Sequence, residues 1–371
     1  MTTILIVAAE TSGDIHGANL ARELKALDPS LRLIGAGGIH MREAGVEILV
    51  DPTAHASVGI VEAFQNLHRY ARLYRLLQSA LKTRRPDAAV LIDSPDFNLR
   101  LAERVHDHGI PVIYYIGPQL WAWRKGRIKT IKRLVRKMIV ILDFEEGLYR
   151  DAGVDVAFVG HPLLDARKDV DREALRRELG VKGPLIGLLP GSRGKQFRSL
   201  FPIMKKTAEL ISKEVPDARF VVACAPNINP ELAMERGLPV VWNRTPEVMA
   251  SSDLLLISSG TGTLEAAIYG TPMIVTYRLN PLTAYTLGPL VWMNIKDWAL
   301  VNIVAGKRIM PEYYQRKGSP ENLAREAVAI LKEGRLPGLR KALAEVRAKL
   351  GSPGASRRAA AEVLKVLRGG A

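Results

Sequence analysis

The chain is poor in the residues on which several classes of protein depend. Cys224 is its single cysteine, which excludes an intrachain disulfide and a zinc site built from cysteine clusters. Aromatic residues make up only 6% of the sequence, which is few for a protein that stacks nucleic-acid bases. Neither a secretory signal pattern nor an apolar run approaching the ~20 residues of a membrane span is present. We therefore expect a cytoplasmic protein that is soluble or peripheral to a membrane.

Positive charge, in contrast, is in excess. The 53 lysines and arginines outnumber the 38 aspartates and glutamates, which gives a net charge of +15 and indicates an anionic partner. Nucleic acid, acidic phospholipid and phosphorylated substrates all meet that requirement. With 371 residues, of which 47% are hydrophobic, the chain is long enough for two α/β domains with complete cores.

Compact apolar runs alternate with helical patterns along the chain. This alternation predicts an α/β fold of two Rossmann-like domains, in which parallel sheets are covered by helices. We place the domains at residues 1–164 and 165–371, with the polar stretch 165–177 as the linker. The last helical patterns, 321–333, 339–350 and 357–367, are expected to pack back on the domains. The predicted strands are 4–9, 31–34, 88–92, 111–116, 138–142, 185–189, 219–223, 240–242, 254–257 and 273–276.

Two polar corners follow strands of the first half. Ser12, Gly13 and Asp14 connect the first strand to a helix, but this connection has only one glycine and so differs from a dinucleotide-binding turn. Asp93 and Asp96 follow a later strand, at the edge where open α/β sheets bind ligands. A carboxylate at that edge can act as a general base, or it can cap the helix that follows.

Two corners in the second half combine small residues with charge. The first contains Arg193, whose guanidinium can hold a diphosphate together with the backbone N–H groups of the turn. It is not a Walker loop, because Gln196 stands where serine or threonine must bind magnesium. The second ends in Glu265, which can accept both hydroxyls of a ribose or pair favourably with the helix dipole. The nucleotide-binding candidates are Gly191, Ser192, Arg193, Ser259, Gly260, Thr261 and Glu265.

Two amphipathic stretches concentrate the positive charge, at residues 69–75 and 124–137. Both suit an anionic membrane surface, although the solvated outer faces of helices have the same pattern. Beside the second stretch, Trp121 and Trp123 form either a wall against a sugar or acyl chain or part of the core. Nucleic acid is less favoured, because stacking aromatics are few and no known binding module is present.

Six short motifs stand in order along the chain, at residues 9–14, 94–98, 121–124, 160–162, 189–193 and 259–265. Together they resemble the lipid-A-disaccharide synthase family over nearly the whole chain. The chain departs from the usual family pattern at Thr11, Gly117, Gln119 and Gly262. The resemblance implies two facing domains of the glycosyltransferase-B type and an inverting transfer that uses no metal or other cofactor.

The resemblance also implies substrates and residue roles. The family joins the 2,3-diacylglucosamine unit of its UDP-activated form to 2,3-diacylglucosamine 1-phosphate and releases UDP. Asp96 matches the family's candidate general base, and Asn302 matches an asparagine near the nucleotide. Arg193 and the adjacent amides would neutralise the diphosphate, Glu265 would hold the ribose, and residues 12–14 would line the acceptor side. The acyl chains explain why the enzyme would dock on the cytoplasmic face of the inner membrane.

Two other classes of function remain open on the sequence. Another UDP-sugar enzyme of the same architecture, such as an epimerase or a peptidoglycan-type transferase, would share the nucleotide-binding half. A basic nucleic-acid-binding protein would share only the charge, and its affinity would fall steeply with salt.

Overall fold

Two compact units make up the chain. The computed structural model describes residues 1–52, 60–121, 126–229, 231, 237–278 and 297–369, of which 60–70 as helix backbone only. The first unit comprises Met1–Asp165 together with Leu350–Ala371, and the second comprises Ala166–Lys349. The C-terminal segment therefore belongs to the first unit, whereas chain order placed it in a second domain, 165–371.

The first unit is built on a parallel sheet of seven strands in the order β3-β2-β1-β4-β5-β6-β7. Strand β1 is wholly buried because the sheet is covered on both faces. Ile4 and Ile6 belong to the core on one face, and Leu5 and Val7 to the core on the other. The strands are β1 (Thr3–Ala8), β2 (Arg32–Ala36), β3 (Glu47–Val50), β4 (Ala88–Ile92), β5 (Val112–Tyr115), β6 (Val135–Val140) and β7 (Val156–Phe158).

Helices cover both faces of this sheet. Their apolar residues recur at helical spacing, as in α4, where Leu101, Ala102 and Val105 are buried. The helices are α1 (Thr11–Leu27), α2 (Ile39–Glu43), α3 (Ile60–Arg84), α4 (Pro95–Asp107), α5 (Arg127–Leu134), α6 (Asp143–Asp151) and, at the C-terminus, α14 (Ala355–Leu367).

The second unit repeats the architecture with six parallel strands in the order β10-β9-β8-β11-β12-β13. The strands are β8 (Leu185–Leu189), β9 (Arg219–Cys224), β10 (Val240–Trp242), β11 (Leu254–Ser258), β12 (Met273–Tyr277) and β13 (Glu312–Tyr314). The helices are α7 (Arg172–Glu178), α8 (Gly194–Glu214), α9 (Thr245–Ser251), α10 (Gly262–Tyr269), α11 (Leu300–Ala305), α12 (Pro320–Lys332) and α13 (Leu336–Lys349). The predicted fold class, two α/β units on parallel sheets covered by helices, is confirmed.

Each sheet reverses its strand order at one point. In the first unit the reversal lies between β1 and β4, and in the second it lies between β8 and β11. Ligands of open α/β sheets bind outside the carboxyl ends of the strands at such a switch point. The four polar corners selected from the sequence follow these four strands.

Two connections join the units, and both are anchored in the first one. Asp165 accepts a hydrogen bond from the amide of Gly354 (2.5 Å), just before α14. Arg358, in the first turn of α14, donates to the carbonyls of Val159 (2.8 Å) and Ser352 (2.5 Å). These contacts hold α14 on the first unit, where it packs against α1.

The structure differs from the sequence-based elements at two segments, the predicted linker and the second basic stretch. The predicted linker 165–177 contains the start of α7, and Asp171 caps that helix by accepting from the amide of Glu173 (2.9 Å). The basic stretch 124–137 is not one helix, because α5 ends at Leu134 and the next residues already belong to β6. Within the described residues, every helix is too short or too polar to cross a bilayer.

Candidate active site

The corner after β1 has one exposed and one buried half. Glu10 and Ser12 are exposed at the start of α1, at the carboxyl end of the strand. Gly13 is buried, and a Cβ on it would lie 3.3 Å from the Cβ of Ala8, which is tight. Glycine therefore lets the first turn of α1 approach the strand. Ser12 remains the predicted contact that can reach a ligand in solvent.

Asp14 has a structural role that the sequence did not indicate. Its carboxylate is 1% exposed and accepts hydrogen bonds from the amides of Gly38 (2.6 Å), His40 (3.1 Å) and Met41 (3.1 Å). These amides form the N-terminus of α2, where unpaired N–H groups require an acceptor. Asp14 thus joins α1 to the turn after β2, and in this structure its oxygens face that turn.

The corner after β4 is strained. Asp93 and Ser94 both have left-handed backbone angles (φ 49° and 41°), which non-glycine residues rarely adopt. Tyr114 donates its hydroxyl to the Asp93 carbonyl (2.6 Å), and the amide group of Asn98 donates to the same oxygen (2.8 Å). Strain that the surroundings hold in this way is typical of functional sites.

This corner also reaches across the switch point to β1. The Ser94 hydroxyl lies 3.2 Å from Oε1 of Glu10, so one contact spans the two strands. Burial raises the pKa of the Asp93 carboxyl, and the negative charge of Glu10 raises it further, against a lowering hydrogen bond from the Ser94 backbone. The ends of β1 and β4 therefore form one acidic site.

Asp96 lies in the first turn of α4, and its side chain is 75% exposed. The guanidinium of Arg127, at the start of α5, forms an ion pair with it. Ser94, rather than either aspartate, occupies the N-cap position of α4, and it makes no side-chain cap. Asp96 thus presents an oriented carboxylate to solvent at the switch point, as a general base requires.

The corner after β8 combines a glycine turn, an exposed cation and a helix N-terminus. Gly191 has a φ of 114°, a backbone conformation that residues with a side chain rarely adopt, so glycine is favoured there. Arg193 is exposed at the N-cap of α8, and the carbonyl of Ser192 is fixed by the side chain of Asn227 (2.8 Å). The N-terminus of this 21-residue helix adds N–H groups and a positive dipole.

The corner after β11 adjoins it, because Ile257 pairs with Leu189 at the ends of the two strands. Gly260 (φ 150°) and Thr261 are exposed, while Ser259 is half-buried and donates to the carbonyl of Trp298 (3.1 Å). This turn leads into α10, whose first turns carry Glu265.

Glu265 is half-buried in α10. Burial raises the pKa of its carboxyl, and the positive charge of Lys168 opposes that effect. The backbone of Lys168 is in turn hydrogen-bonded to the hydroxyl of Tyr269 (3.3 Å), one turn further along α10. The carboxyl group thus lies in the first turns of the helix that follows the β11 corner, near the charge of Lys168.

Asn302 has no hydrogen-bonding capacity left for a nucleotide. It is fully buried on α11, and its Oδ1 accepts from the amides of Ile309 and Met310 (both 2.9 Å). Its Nδ2 donates to the Met310 carbonyl (2.9 Å) and to Glu312 (2.5 Å). Asn302 is therefore a support that ties α11 to β13 in this structure.

Two further residues of the site were not found from the sequence. The sequence places Arg127 only within a basic stretch, and its partner Asp96 is 31 positions away. Glu312 accepts from the amides of Trp298 (3.0 Å) and Ala299 (3.1 Å) as well as from Asn302, so it fixes the start of α11. Neither contact has a signal in local spacing.

Part of the predicted acyl wall and of the basic surface lies outside the described residues, namely Ala122, Trp123, Arg124 and Lys125, together with the side chain of Arg69. Trp121 is half-buried. Within the two basic stretches, the described basic side chains that are exposed are Arg72, Arg75, Lys129, Lys132, Arg133 and Arg136. In the described part of the chain, histidine, cysteine and acidic residues nowhere cluster as a metal site would require.

Solved structures share the fold. A putative UDP-N-acetylglucosamine 2-epimerase from Listeria monocytogenes superposes with a TM-score of 0.65 at 14% identity, covering 99% of this chain and 97% of its own. A structure described as the glycotransferase of kitacinnamycin superposes with a TM-score of 0.64 at 18% identity, covering 98% of both chains. At such identities the likeness concerns the fold alone.

Sequence comparison is more specific. The family model described as lipid-A-disaccharide synthetase matches residues 4–366. The lipid-A-disaccharide synthase of Anaeromyxobacter dehalogenans (strain 2CP-C) is 44% identical over 379 residues, covering 98% of this chain and 97% of that protein. The synthase of Syntrophus aciditrophicus (strain SB) is 40% identical over 376 residues, covering 98% of each. As the six motifs predicted, the chain belongs to the lipid-A-disaccharide synthase family.

Proposed function

We propose that this chain transfers a 2,3-diacylglucosamine unit from its UDP-activated form to 2,3-diacylglucosamine 1-phosphate. The products are the lipid A disaccharide 1-phosphate and UDP, and a single displacement inverts the anomeric centre. The observation that carries the proposal is the exposed carboxylate of Asp96 at the switch point of the first sheet, in a member of this family.

In this reaction Asp96 is the general base. It takes the proton of the acceptor 6-hydroxyl while that oxygen attacks the anomeric carbon and the bond to the diphosphate breaks. Arg127 holds the carboxylate in one orientation, and the strained corner at Asp93 and Ser94 fixes the start of α4. Ser12 contacts the acceptor, Gly13 lets the first turn of α1 lie close to β1, and Asp14 supports both by anchoring α1 to the N-terminus of α2.

The second unit binds the nucleotide. Arg193 and the amides at the start of α8 neutralise the diphosphate as it leaves, so the transfer needs no metal ion or other cofactor. Ser259, Gly260 and Thr261 line the neighbouring corner, and Glu265 accepts the ribose hydroxyls. Asn302 acts indirectly, by holding the segment between α11 and β13.

The test separates the base from the nucleotide site. Asp96→Asn should lower kcat by about 10²-fold or more, the usual contribution of a general base, and leave the Kd for UDP near that of the wild type. Arg193→Ala should weaken both UDP binding and turnover. Asp107→Asn is the matched control, because Asp107 is an exposed carboxylate at the other end of α4. A fully active Asp96→Asn enzyme would show that the base lies elsewhere, with Asp93 the next candidate.

Two conditions of the same assay test the substrate and the absence of metal. Disaccharide formation, followed by mass spectrometry, should be unchanged by EDTA, and strict magnesium dependence would contradict the metal-free mechanism. UDP-sugars without acyl chains should be poor donors. Efficient use of such a donor would favour another UDP-sugar enzyme.

The same function requires access to lipid. We propose that the enzyme is peripheral on the cytoplasmic face of the inner membrane and docks through exposed basic side chains of α3, α5 and the start of β6. On the described part of α3, Leu73 and Leu77 face the core while Arg72 and Arg75 face solvent, so these two charges lie on the solvent side of the helix. Anionic lipid, not nucleic acid, is the proposed partner of this surface.

Charge reversal tests the docking surface. Two double variants should each bind anionic liposomes more weakly than the wild type does, and the difference from the wild type should shrink at high salt. One combines Arg72→Glu with Arg75→Glu, and the other combines Lys132→Glu with Arg136→Glu. Lys213→Glu with Arg347→Glu changes the charge equally at exposed positions of the second unit and serves as the control. Equal binding of all three variants would show that the basic faces of α3 and α5 are only solvated.

A further inference from the structure

Trp242 carries an exposed indole at the ligand-binding edge of the second sheet. It is the last residue of β10 and is 48% exposed. Among the residues that the structure describes, its indole nitrogen has no hydrogen-bond partner and its ring pairs with no other aromatic ring. Because the sheet is parallel, the carboxyl end of β10 lies at the same edge as the corners after β8 and β11. The residues assigned to the proposed reaction leave this indole without a role.

The turn that follows this indole is firmly held. Asn243 has a left-handed backbone (φ 56°), and its amide donates to the carbonyl of Cys224 on β9 (2.9 Å). Arg244 donates its Nη1 and Nη2 to the carboxylate of Glu178 on α7 (3.1 and 2.8 Å). Its Nε donates to Glu247 on α9 (2.7 Å). Contacts to β9, α7 and α9 therefore fix the corner, and a ligand that binds there has little chain to order.

The corner after β9 lies between the indole and the proposed diphosphate site. Strand β9 separates β10 from β8, so Trp242 is two strands away from β8, about 10 Å at the usual strand spacing. Asn227, in the corner after β9, donates its side-chain amide to the carbonyl of Ser192 (2.8 Å), which precedes Arg193. The indole and the diphosphate corner therefore lie on one continuous edge, and the interval between them leaves room for a ribose.

The proposed ribose site borders the same corner. Helix α9 begins at Thr245, three positions after Trp242, and packs against α10, which carries Glu265. A Cβ on Gly262, the first residue of α10, would lie 3.8 Å from Cε of Met249 on α9, which is ordinary van der Waals contact. The second unit thus offers a diphosphate corner, a ribose carboxylate and a flat apolar surface along one edge.

An indole that is partly in water is well suited to stack on a nucleobase, because both surfaces are flat and apolar. We propose that Trp242 binds the base of the UDP-sugar by stacking its indole on the uracil ring. This inference rests on the proposed function, because it requires a nucleotide at the corners after β8 and β11. Stacking supplies affinity for the base without distinguishing one base from another, since every base has a π-face.

Binding of UDP and of inorganic pyrophosphate, which lacks the base, tests the proposal. Trp242→Ala should raise the Kd for UDP about 10- to 100-fold, the usual effect of removing an aromatic platform, and leave the Kd for pyrophosphate unchanged. Trp242→Phe keeps an aromatic face, and its Kd for UDP should stay within about threefold of the wild-type value.

Val240→Ala is the control for a loosened edge strand. Val240 lies two positions before Trp242 on β10 and packs against the core, so its truncation disturbs the strand without touching the indole. This variant should bind both ligands as the wild type does. An unchanged Kd for UDP in Trp242→Ala would overturn the inference. An equal loss of affinity for UDP and pyrophosphate in Trp242→Ala would overturn it too, because the corner would then only support the diphosphate site.

A probe on the indole itself reports the contact directly. In protein made with fluorinated tryptophan, the fluorine resonance of Trp242, assigned by Trp242→Phe, should shift on saturation with UDP but not with pyrophosphate. A resonance that stays in place at saturating UDP would refute the stacking. A wild type that binds UDP but makes no disaccharide would instead refute the proposed transfer, and the resonance would still decide the stacking. A wild type that does not bind UDP would refute the proposed nucleotide site and this inference with it.

Discussion

A substitution at Asn302 distinguishes a residue that contacts the nucleotide from one that only supports the fold. Asn302→Ala removes four hydrogen bonds and leaves the amides of Ile309 and Met310 without their acceptor. A net loss of 0.5–1.5 kcal/mol per bond, together with the penalty for the amides left unpaired, predicts a destabilisation of about 3–5 kcal/mol. Asn302→Asp should be at least as harmful, because it sets a second carboxylate against Glu312.

Urea unfolding and hydrogen exchange measure this effect directly. We expect a lower unfolding midpoint and faster exchange in the segment from Gly306 to Tyr314, with UDP affinity lost only as far as that segment loosens. Asn322→Ala is the control, because Asn322 makes one exposed side-chain bond to the Lys317 carbonyl (3.1 Å) and should change stability by less than about 0.5 kcal/mol. If Asn302→Ala keeps full stability and exchange protection but loses UDP binding, the residue contacts the nucleotide, and the structural reasoning is wrong.

Two further predictions concern stability in the first unit. Burial raises the pKa of Glu145 from 4.5 to about 8 on folding, so the folded state binds the proton more tightly than the unfolded state does. The free energy of unfolding of the wild type should therefore fall between pH 4.5 and 8. At 1.36 kcal/mol per pKa unit, the loss is at most about 5 kcal/mol. Urea midpoints should therefore fall with pH for the wild type and stay level for Glu145→Gln, and parallel curves would contradict this. Arg358→Ala removes three hydrogen bonds, to the carbonyls of Val159, Ser352 and Pro353, and should lower the free energy of unfolding by about 2–3 kcal/mol. We expect faster hydrogen exchange in α14. Unchanged exchange there would mean that packing on α1 alone holds the helix.

The sequence predicted central strands well and edge strands poorly. The predicted strands 88–92 and 185–189 coincide with the central strands β4 and β8, and the prediction 240–242 coincides with β10, which is an edge strand. Buried parallel strands are continuous apolar runs, which makes them visible in sequence. The strands that were missed, β3, β7 and β13, all lie at sheet edges, where one side of the strand has no neighbour and apolar residues are less continuous.

The candidate site shows a similar division. The corners at residues 191–193 and 259–261 were predictable because a turn and the helix that follows it depend on neighbouring residues. The supporting role of Asp14 was not, because its partners are 24–27 positions away on α2. The ion pair of Arg127 with Asp96 likewise arises only when α5 packs beside α4. Contacts between distant segments follow from the fold, and linear spacing does not contain them.

The C-terminal helix has a consequence for how the protein is made. Helix α14 completes the core of the first unit, where Ala359, Ala360 and Val363 pack with residues of β1 and α1. On the ribosome, α1 emerges early, and α14 emerges only after the whole second unit has been synthesised. The nascent first unit must therefore keep an apolar surface uncovered throughout that interval. The second unit is continuous in sequence and can fold first, so the order of folding is expected to run opposite to the order of synthesis.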